Sequence, residues 1–123
     1  MTSQHFEITK VATFDAAHYL PDGPAESPYT RLHGHSFQVE ATVAGAPQPP
    51  VGWVADLAEL DQALRAVALE LDHGLLNERP GLASPTLENL CLYFAERLSV
   101  RFPGLSRIRV SRPTIGESCA LNL

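Results

Sequence analysis

The stretch from residue 33 to residue 44 constrains the fold more than any other part of the sequence. Apolar residues occupy every second position of its later part, at Phe37, Val39, Ala41 and Val43. The residues between them are polar, so the pattern predicts a strand from about 35 to 44 with one buried face, as in an antiparallel sheet. His33 and His35 keep the same spacing and therefore project to one face. Two imidazoles on one face suit a metal such as zinc, which needs at least a third protein ligand.

A first strand is predicted over residues 5–20, where apolar residues alternate loosely with polar ones. Because the alternation is imperfect, we expect an irregularity near Thr13. The next segment, 21–30, contains three prolines and a glycine and can be neither a helix nor an interior strand. It is predicted to be a surface loop that links the two strands.

Two amphipathic helices are predicted next. Asp56, with Glu59 three residues later, is typical of a capping box, and apolar residues then recur at three- and four-residue spacing for about four turns. The second helix opens near Ser84 or Thr86, either of which can be its N-cap. Cys91 lies on the apolar stripe of this helix and is predicted to be a small core residue.

The last third of the chain predicts two more strands. Ile108 and Val110 alternate with polar residues, and the tail 117–123 is a candidate short fourth strand. The order strand, strand, helix, helix, strand, strand predicts an α+β fold with both helices on one face of an antiparallel four-stranded sheet. The length favours a single domain over residues 1–123, and the open sheet edges favour oligomerisation.

Composition narrows the function classes. A net charge of -5 argues against direct nucleic-acid binding, which uses a basic face. No apolar run is long enough for a membrane span or a secretory signal, so we expect no membrane partner and a cytoplasmic location. The two cysteines, Cys91 and Cys119, suit a reducing compartment.

A third imidazole stands at the end of the first predicted strand. His18 lies across the loop from His33 and His35 if the two strands form a hairpin, so that all three can reach one point. The set predicts a zinc site with one open position, which lowers the pKa of a bound hydroxyl or polarises a carbonyl. Alternatively, they are three unrelated surface or capping histidines.

Five motifs occur in order along the chain: Phe14-Asp15-Ala16-Ala17-His18, Leu32-His33-Gly34-His35-Ser36-Phe37, Asp56 with Glu59, Leu71-Asp72-His73 with Leu76-Asn77, and Pro85-Thr86 with Glu88-Asn89. In these motifs the chain resembles the 6-pyruvoyltetrahydropterin synthase and 6-carboxytetrahydropterin synthase family over nearly its whole length. The resemblance implies a tunnelling fold, in which sheets from several subunits close into a barrel with active sites at subunit interfaces. It also implies zinc as the metal of the three histidines.

The resemblance further implies a zinc-dependent lyase that acts on a small reduced pterin. Bacterial members convert 7,8-dihydroneopterin triphosphate to 6-carboxytetrahydropterin, a step toward 7-deazaguanine nucleosides of tRNA such as queuosine. Asp72 and His73 match a pair in which the histidine carries protons and the carboxylate orients it; alternatively, the pair only ends a helix. Thr86 and Glu88 match part of the pterin pocket; alternatively, they only cap a helix.

Two positions depart from the family pattern. Tyr29 stands where the family has a nucleophilic cysteine; it relays a proton if a nearby cation lowers its pKa, or it only packs over the pocket. Arg112 or Ser111 stands where the family has a glutamate that accepts hydrogen bonds from the pterin, which an arginine cannot do. Glu117 replaces that glutamate if the turn brings it back, or it is a solvated turn residue.

These departures indicate a divergent subgroup and leave three functional hypotheses. The leading one is the 6-carboxytetrahydropterin synthase reaction. The second is altered chemistry on a related substrate, such as aldol cleavage of a dihydroneopterin side chain. The third is a non-catalytic oligomer that binds zinc and pterin. Cys119 is a further residue that can approach the site from the tail.

Overall fold

One antiparallel sheet of four strands and two α-helices make up the computed structural model, which describes residues 4–123. The strands lie in the order of the sequence, β1 next to β2, then β3, then β4. The elements are β1 Phe6–His18, β2 His33–Gly45, α1 Leu57–Leu71, α2 Leu87–Ser99, β3 Leu105–Arg112 and β4 Glu117–Asn122. The predicted class and element order are confirmed. Neither helix is long and apolar enough to cross a membrane.

The alternation of apolar and polar residues along the strands gives the sheet one buried face and one exposed face. The residues of β2 that were predicted to point inward are buried, and their polar neighbours lie on the opposite face. The irregularity expected near Thr13 is absent, because β1 pairs with β2 in unbroken register and Thr13 faces Gln38. Val11 disturbs the sequence pattern only because it lies on the exposed face of β1. The register shift of the sheet occurs instead between Thr42 and Val43, where β2 pairs with β3.

The helices begin at side-chain caps. Asp56 accepts hydrogen bonds from the backbone N–H groups of Ala58 and Glu59, which starts α1 as predicted. A capping box has a second hydrogen bond, from the backbone N–H of the N-cap residue to the side chain at Glu59. It does not form here, because the Glu59 carboxylate accepts a hydrogen bond from Arg101 Nε at 3.1 Å. Of the two candidate caps of α2, the structure selects Thr86.

The core lies between the sheet and the two helices. Phe14 of β1 stacks on Phe37 of β2 with ring centroids 5.0 Å apart, and Phe94 of α2 covers Phe14 at 5.9 Å. Cys91 is buried in this core, as expected.

The connector after α1 folds back beside β1 and thereby shapes the site. The backbone N–H of His73 donates to the carbonyl of Asp15 at 2.6 Å, and that of Ala17 donates to Gly74 at 2.9 Å. Leu75 forms a parallel bridge with Ala17. The end of β1 that carries His18 is therefore held by a segment that the sequence alone does not place there.

Candidate active site

Three imidazoles meet where β1 ends and β2 begins. His18 is the register partner of His33, and His35 lies two positions further along the same face of β2. The ring centroids are 4.6 Å apart for His18 and His33, 5.1 Å for His18 and His35, and 4.8 Å for His33 and His35. One nitrogen of each ring lies within 4.8 Å of the other two, so the three form a group that could hold a metal ion.

Two backbone carbonyls orient these rings. Nδ1 of His18 lies 3.0 Å from the carbonyl oxygen of Pro85, and Nδ1 of His33 lies 2.6 Å from that of Arg31. A carbonyl only accepts, so each Nδ1 carries the proton and each Nε2 keeps a lone pair. Nε2 of His18 is buried and has no hydrogen-bond partner among residues 4–123. A buried nitrogen without a partner is costly unless a ligand occupies it, and the group therefore fits a metal ion.

Burial favours the neutral form of two of the imidazoles, His18 and His35. Burial lowers the pKa of His18 to about 4, and the nearby charges of His33, His35 and Arg112 act in the same direction. Burial also lowers the pKa of His35, again with help from Arg112. Neutral imidazole is the form that ligates a metal.

The predicted proton-carrying pair is also formed. Nδ1 of His73 donates to Oδ2 of Asp72 at 2.8 Å, and this hydrogen bond raises the pKa of His73. The other oxygen of Asp72 accepts the backbone N–H of Asp15 at 2.9 Å, which lowers the pKa of Asp72. The side chain of His73 is 81% exposed. The carboxylate therefore fixes the ring and leaves Nε2 open to solvent.

A cleft of about 850 Å³ connects the two groups. His33 and His35 line one part of it and His73 another. No hydrogen bond or ring contact within residues 4–123 joins His73 to the three histidines. One chain thus carries both groups on one cleft without direct contact between them.

Asp15 and Ser36 also line this cleft, and sequence reasoning missed them as site residues. They are register partners in the hairpin, and the Ser36 hydroxyl donates to the Asp15 carboxylate. They lie three rungs from the His18–His33 pair, an odd number that puts them on the opposite face of the hairpin, so the alternation that predicted the histidines did not select them.

Arg112 and Glu117 face each other across the β3–β4 hairpin. They are register partners, and Arg112 Nε lies 2.9 Å from Oε1 of Glu117. The Arg112 charge lowers the pKa of both His18 and His35, whereas the Glu117 charge acts in the opposite direction on His35. Ser111 belongs to the opposite face by alternation, so Arg112 is the residue beside the histidines.

The first turn of α2 adjoins the metal group through Pro85. Thr86 accepts the backbone N–H of Asn89 at 3.1 Å, which is a capping role. Glu88 is exposed in the first turn. The role of either residue toward a ligand stays a prediction.

Tyr29 and the cysteines lie outside the lining of the cleft. Tyr29 belongs to a short 3₁₀ turn, Pro28–Thr30, and its side chain is 55% exposed. The Cys91 thiol donates to the carbonyl of Cys119 at 3.4 Å, and burial raises its pKa to about 12. Cys91 is therefore not a nucleophile at neutral pH.

Comparison with known proteins gives a consistent family. The family model of 6-pyruvoyl tetrahydropterin synthase matches residues 7–122. Dihydroneopterin monophosphate aldolase of Pyrococcus furiosus is 38% identical over 93 residues, covering 76% of this chain and 75% of the relative. The 6-carboxy-5,6,7,8-tetrahydropterin synthase of Synechocystis is 38% identical over 109 residues, covering 84% and 83%. The structure of Caenorhabditis elegans 6-pyruvoyl tetrahydropterin synthase superposes with a TM-score of 0.84 at 21% identity, covering 100% of this chain and 99% of that one, and this likeness concerns the fold.

Proposed function

Because the chain belongs to the 6-pyruvoyl tetrahydropterin synthase family, we propose that it is a zinc-dependent lyase of the 6-carboxytetrahydropterin synthase type, acting on 7,8-dihydroneopterin triphosphate in the cytoplasm. The observation that carries the proposal is the buried Nε2 of His18, which has no hydrogen-bond partner among residues 4–123 and belongs to a group of three converging imidazoles. A purely structural cluster would satisfy that nitrogen with a protein acceptor or donor.

His18, His33 and His35 hold the zinc in this proposal, with the carbonyls of Pro85 and Arg31 fixing the rings of His18 and His33. Bound zinc supplies Lewis acidity toward hydroxyl and carbonyl oxygens of the pterin side chain. Three neutral nitrogen ligands with an open position are the donor set of a catalytic zinc site.

His73 moves protons in this proposal. Its Nδ1–H is committed to Asp72, so Nε2 is the atom that takes or gives a proton at the substrate. The hydrogen bond to Asp72 raises the pKa of His73, which favours the protonated form and suits a group that must also give a proton. Tyr29 is a second candidate proton carrier, on the loop that closes the hairpin.

Four further residues are proposed to contact the substrate. Arg112 and Glu117 adjoin the histidines as an ion pair, and Thr86 and Glu88 lie in the turn that follows Pro85. Small-molecule sites in proteins generally use a small number of placed polar groups to orient the ligand.

Aldol cleavage of a phosphorylated dihydroneopterin is the second candidate. A relative that is 38% identical is named as a dihydroneopterin monophosphate aldolase. A chain with Tyr29 where the family has a thiol retains the metal and proton-transfer groups but lacks the nucleophile. Cleavage of a carbon–carbon bond beside a metal-held hydroxyl needs only acid–base chemistry.

Product identification tests the proposal. Zinc-loaded protein with 7,8-dihydroneopterin triphosphate is expected to release triphosphate and acetaldehyde and to form 6-carboxytetrahydropterin, as identified by mass. His73→Ala should retain stoichiometric zinc and lose turnover by about 10²- to 10⁴-fold, the usual contribution of a general acid–base group. His33→Ala should lose both zinc and turnover.

Each contrary result has a defined meaning. A different pterin product, such as a 6-hydroxymethyl compound, would replace the leading reaction by aldol cleavage. Substrate that is bound but unchanged over hours at high protein concentration would leave only the binding hypothesis. Full zinc content in His33→Ala would contradict the metal assignment.

We also propose that the single domain assembles into a homo-oligomer with active sites at subunit interfaces, and that it binds neither nucleic acid nor membrane directly. Support comes from the open outer edge of β4, the last strand of the sheet.

A further inference from the structure

Asn77 lies in the connector between the two helices and binds the backbone directly after His18. It is half-buried and belongs to the short 3₁₀ turn Leu76–Glu78. Its Oδ1 accepts the backbone N–H of Tyr19 at 3.1 Å, and its Nδ2 donates to the carbonyl of Tyr19 at 2.8 Å. One side-chain amide thus satisfies both backbone groups of the residue that follows β1, as a neighbouring strand would.

The same amide reaches the loop that orients the His18 ring. Nδ2 of Asn77 also donates to the carbonyl of Ala83 at 3.3 Å. Two residues further along, the carbonyl of Pro85 lies 3.0 Å from Nδ1 of His18. An amide that meets one N–H and two carbonyls has a single satisfactory orientation, because its oxygen only accepts and its nitrogen only donates. Asn77 therefore ties the backbone beside His18 to the loop whose carbonyl holds the ring.

A second asparagine supports this loop from the other side. Nδ2 of Asn89 on α2 donates to the carbonyl of Ser84 at 2.8 Å. Three consecutive carbonyls of loop 83–85 therefore each accept a hydrogen bond from a side chain, in the order Asn77, Asn89 and His18. The position of the last carbonyl, which determines the tautomer of His18, depends on the two contacts before it.

We propose that Asn77 is a positioning residue for His18: by joining the end of β1 to loop 83–85, it keeps the ring in the tautomer whose Nε2 is free to bind the metal. The inference rests on the proposed function, which supplies the metal. Asn77 makes no hydrogen bond to the ring in the part of the chain that the structure describes. It acts instead through Tyr19 and the loop, and such outer partners of a ligand tune metal affinity.

A purely structural asparagine would behave differently. It would lower the free energy of unfolding when removed and leave the His18 ring as it is. Positioning predicts that both neutral tautomers of His18 become populated in metal-free Asn77→Ala, because the Pro85 carbonyl is no longer held against Nδ1.

Nitrogen–proton correlation NMR of the imidazole rings in metal-free protein at neutral pH tests the tautomer. The wild-type spectrum is expected to show His18 with its proton on Nδ1 alone, and His18→Gln identifies the signals by their absence. Asn77→Ala should show averaged ring-nitrogen shifts, which indicate a mixture of the two tautomers.

Zinc affinity, measured by competition with a chromophoric chelator, is the second readout. Asn77→Ala is expected to bind zinc about tenfold more weakly than the wild-type protein. Tyr93→Phe is the control for stability: it removes a hydrogen bond of 2.9 Å to Glu70 between the two helices and leaves loop 83–85 intact. It should lower the urea midpoint and leave both the tautomer and the zinc affinity unchanged.

A second substitution covers a failure to fold. If Asn77→Ala does not fold, Asn77→Ser replaces it with the same expected results. A serine hydroxyl has one donor and cannot serve two carbonyls at once.

Loss of zinc affinity together with a mixed tautomer in the Asn77 variant, but not in Tyr93→Phe, would support the inference. A wild-type result in either readout for a folded Asn77 variant would overturn it and leave the proposed function standing. An equal loss of zinc affinity in Tyr93→Phe would also overturn it, because lowered stability would then explain the effect. Wild-type protein that binds no zinc would overturn the proposed function and this inference together.

Discussion

His18 combines two properties that rarely occur together, a side chain that is 1% exposed and a ring nitrogen without a partner. Its pKa is about 4 in the folded protein and 6.5 in the unfolded chain. Because the unfolded state binds the proton more readily, acid favours unfolding. The neutral ring is an advantage only above the unfolded value, and this advantage is lost as the pH falls from 6.5 to about 4.

Metal-free protein is therefore expected to lose stability in that pH window. The gap between the two pKa values corresponds to a loss of at most about 3 kcal/mol in the free energy of unfolding. Urea unfolding at a series of pH values measures it, with His18→Gln as the control that lacks the titrating ring. The difference in free energy of unfolding between the wild-type protein and His18→Gln should shrink as the pH falls from 6.5 to 4. Parallel profiles for both would contradict the assigned pKa.

At the scale of elements, the hairpin of β1 and β2 carries the three histidines, and α2 supports them. Thr86 caps α2, and the preceding residue, Pro85, provides the carbonyl that orients His18. The cap thus fixes the start of a helix and, through the neighbouring Pro85, the orientation of the His18 ring.

Thr86→Ala is expected to destabilise the protein by about 1 kcal/mol, the usual value of an N-cap side chain. Ser84→Ala is the matched control, because Ser84 contributes its carbonyl and not its hydroxyl, accepting from Asn89 Nδ2 at 2.8 Å. Urea denaturation of both variants measures the difference. Equal losses would mean that Thr86 is not the effective cap.

The elements also show what sequence can and cannot predict. The three histidines were predictable because they lie on two consecutive strands, and alternation together with one hairpin register determines which side chains meet. The position of the segment that carries His73 was not predictable from the sequence, because its contact with Asp15 depends on how α1 packs and on where α1 ends. The choice of Arg112 over Ser111 was likewise open until the face of β3 was known, since a one-residue shift reverses the face.

Tyr29 illustrates a different limit. Its position in the sequence relative to His33 suggested a place in the site, but loop residues follow no periodicity from which a direction can be read. The structure places it in an exposed turn outside the cleft lining. Its role in a proton transfer stays a prediction.

At the scale of the whole molecule, β4 presents an open edge. The backbone N–H of Leu123 donates to Ser106 on β3, so by alternation the N–H of Ala120 points away from β3. An outward N–H in the middle of an edge strand can pair with a strand from another copy.

Ala120→Pro is expected to abolish assembly and to retain the fold of the single chain. Proline removes this outward donor without breaking a bond to β3, and edge strands tolerate it. Light scattering coupled to size exclusion should show an oligomer for the wild-type protein and for the control Ala120→Ser, and a monomer for Ala120→Pro. An oligomer of unchanged mass in Ala120→Pro would place the interface elsewhere.

The pairing of His18 with His33 has a consequence for how this site can change over time. These two histidines form the last rung of the hairpin, so the strand pairing itself closes the loop that carries Tyr29. Insertions and substitutions in that loop cost little stability and do not shift the histidines, since closure entropy grows only slowly with length. The three histidines therefore keep their positions while the loop can change, and a reactive side chain can be gained or lost there independently.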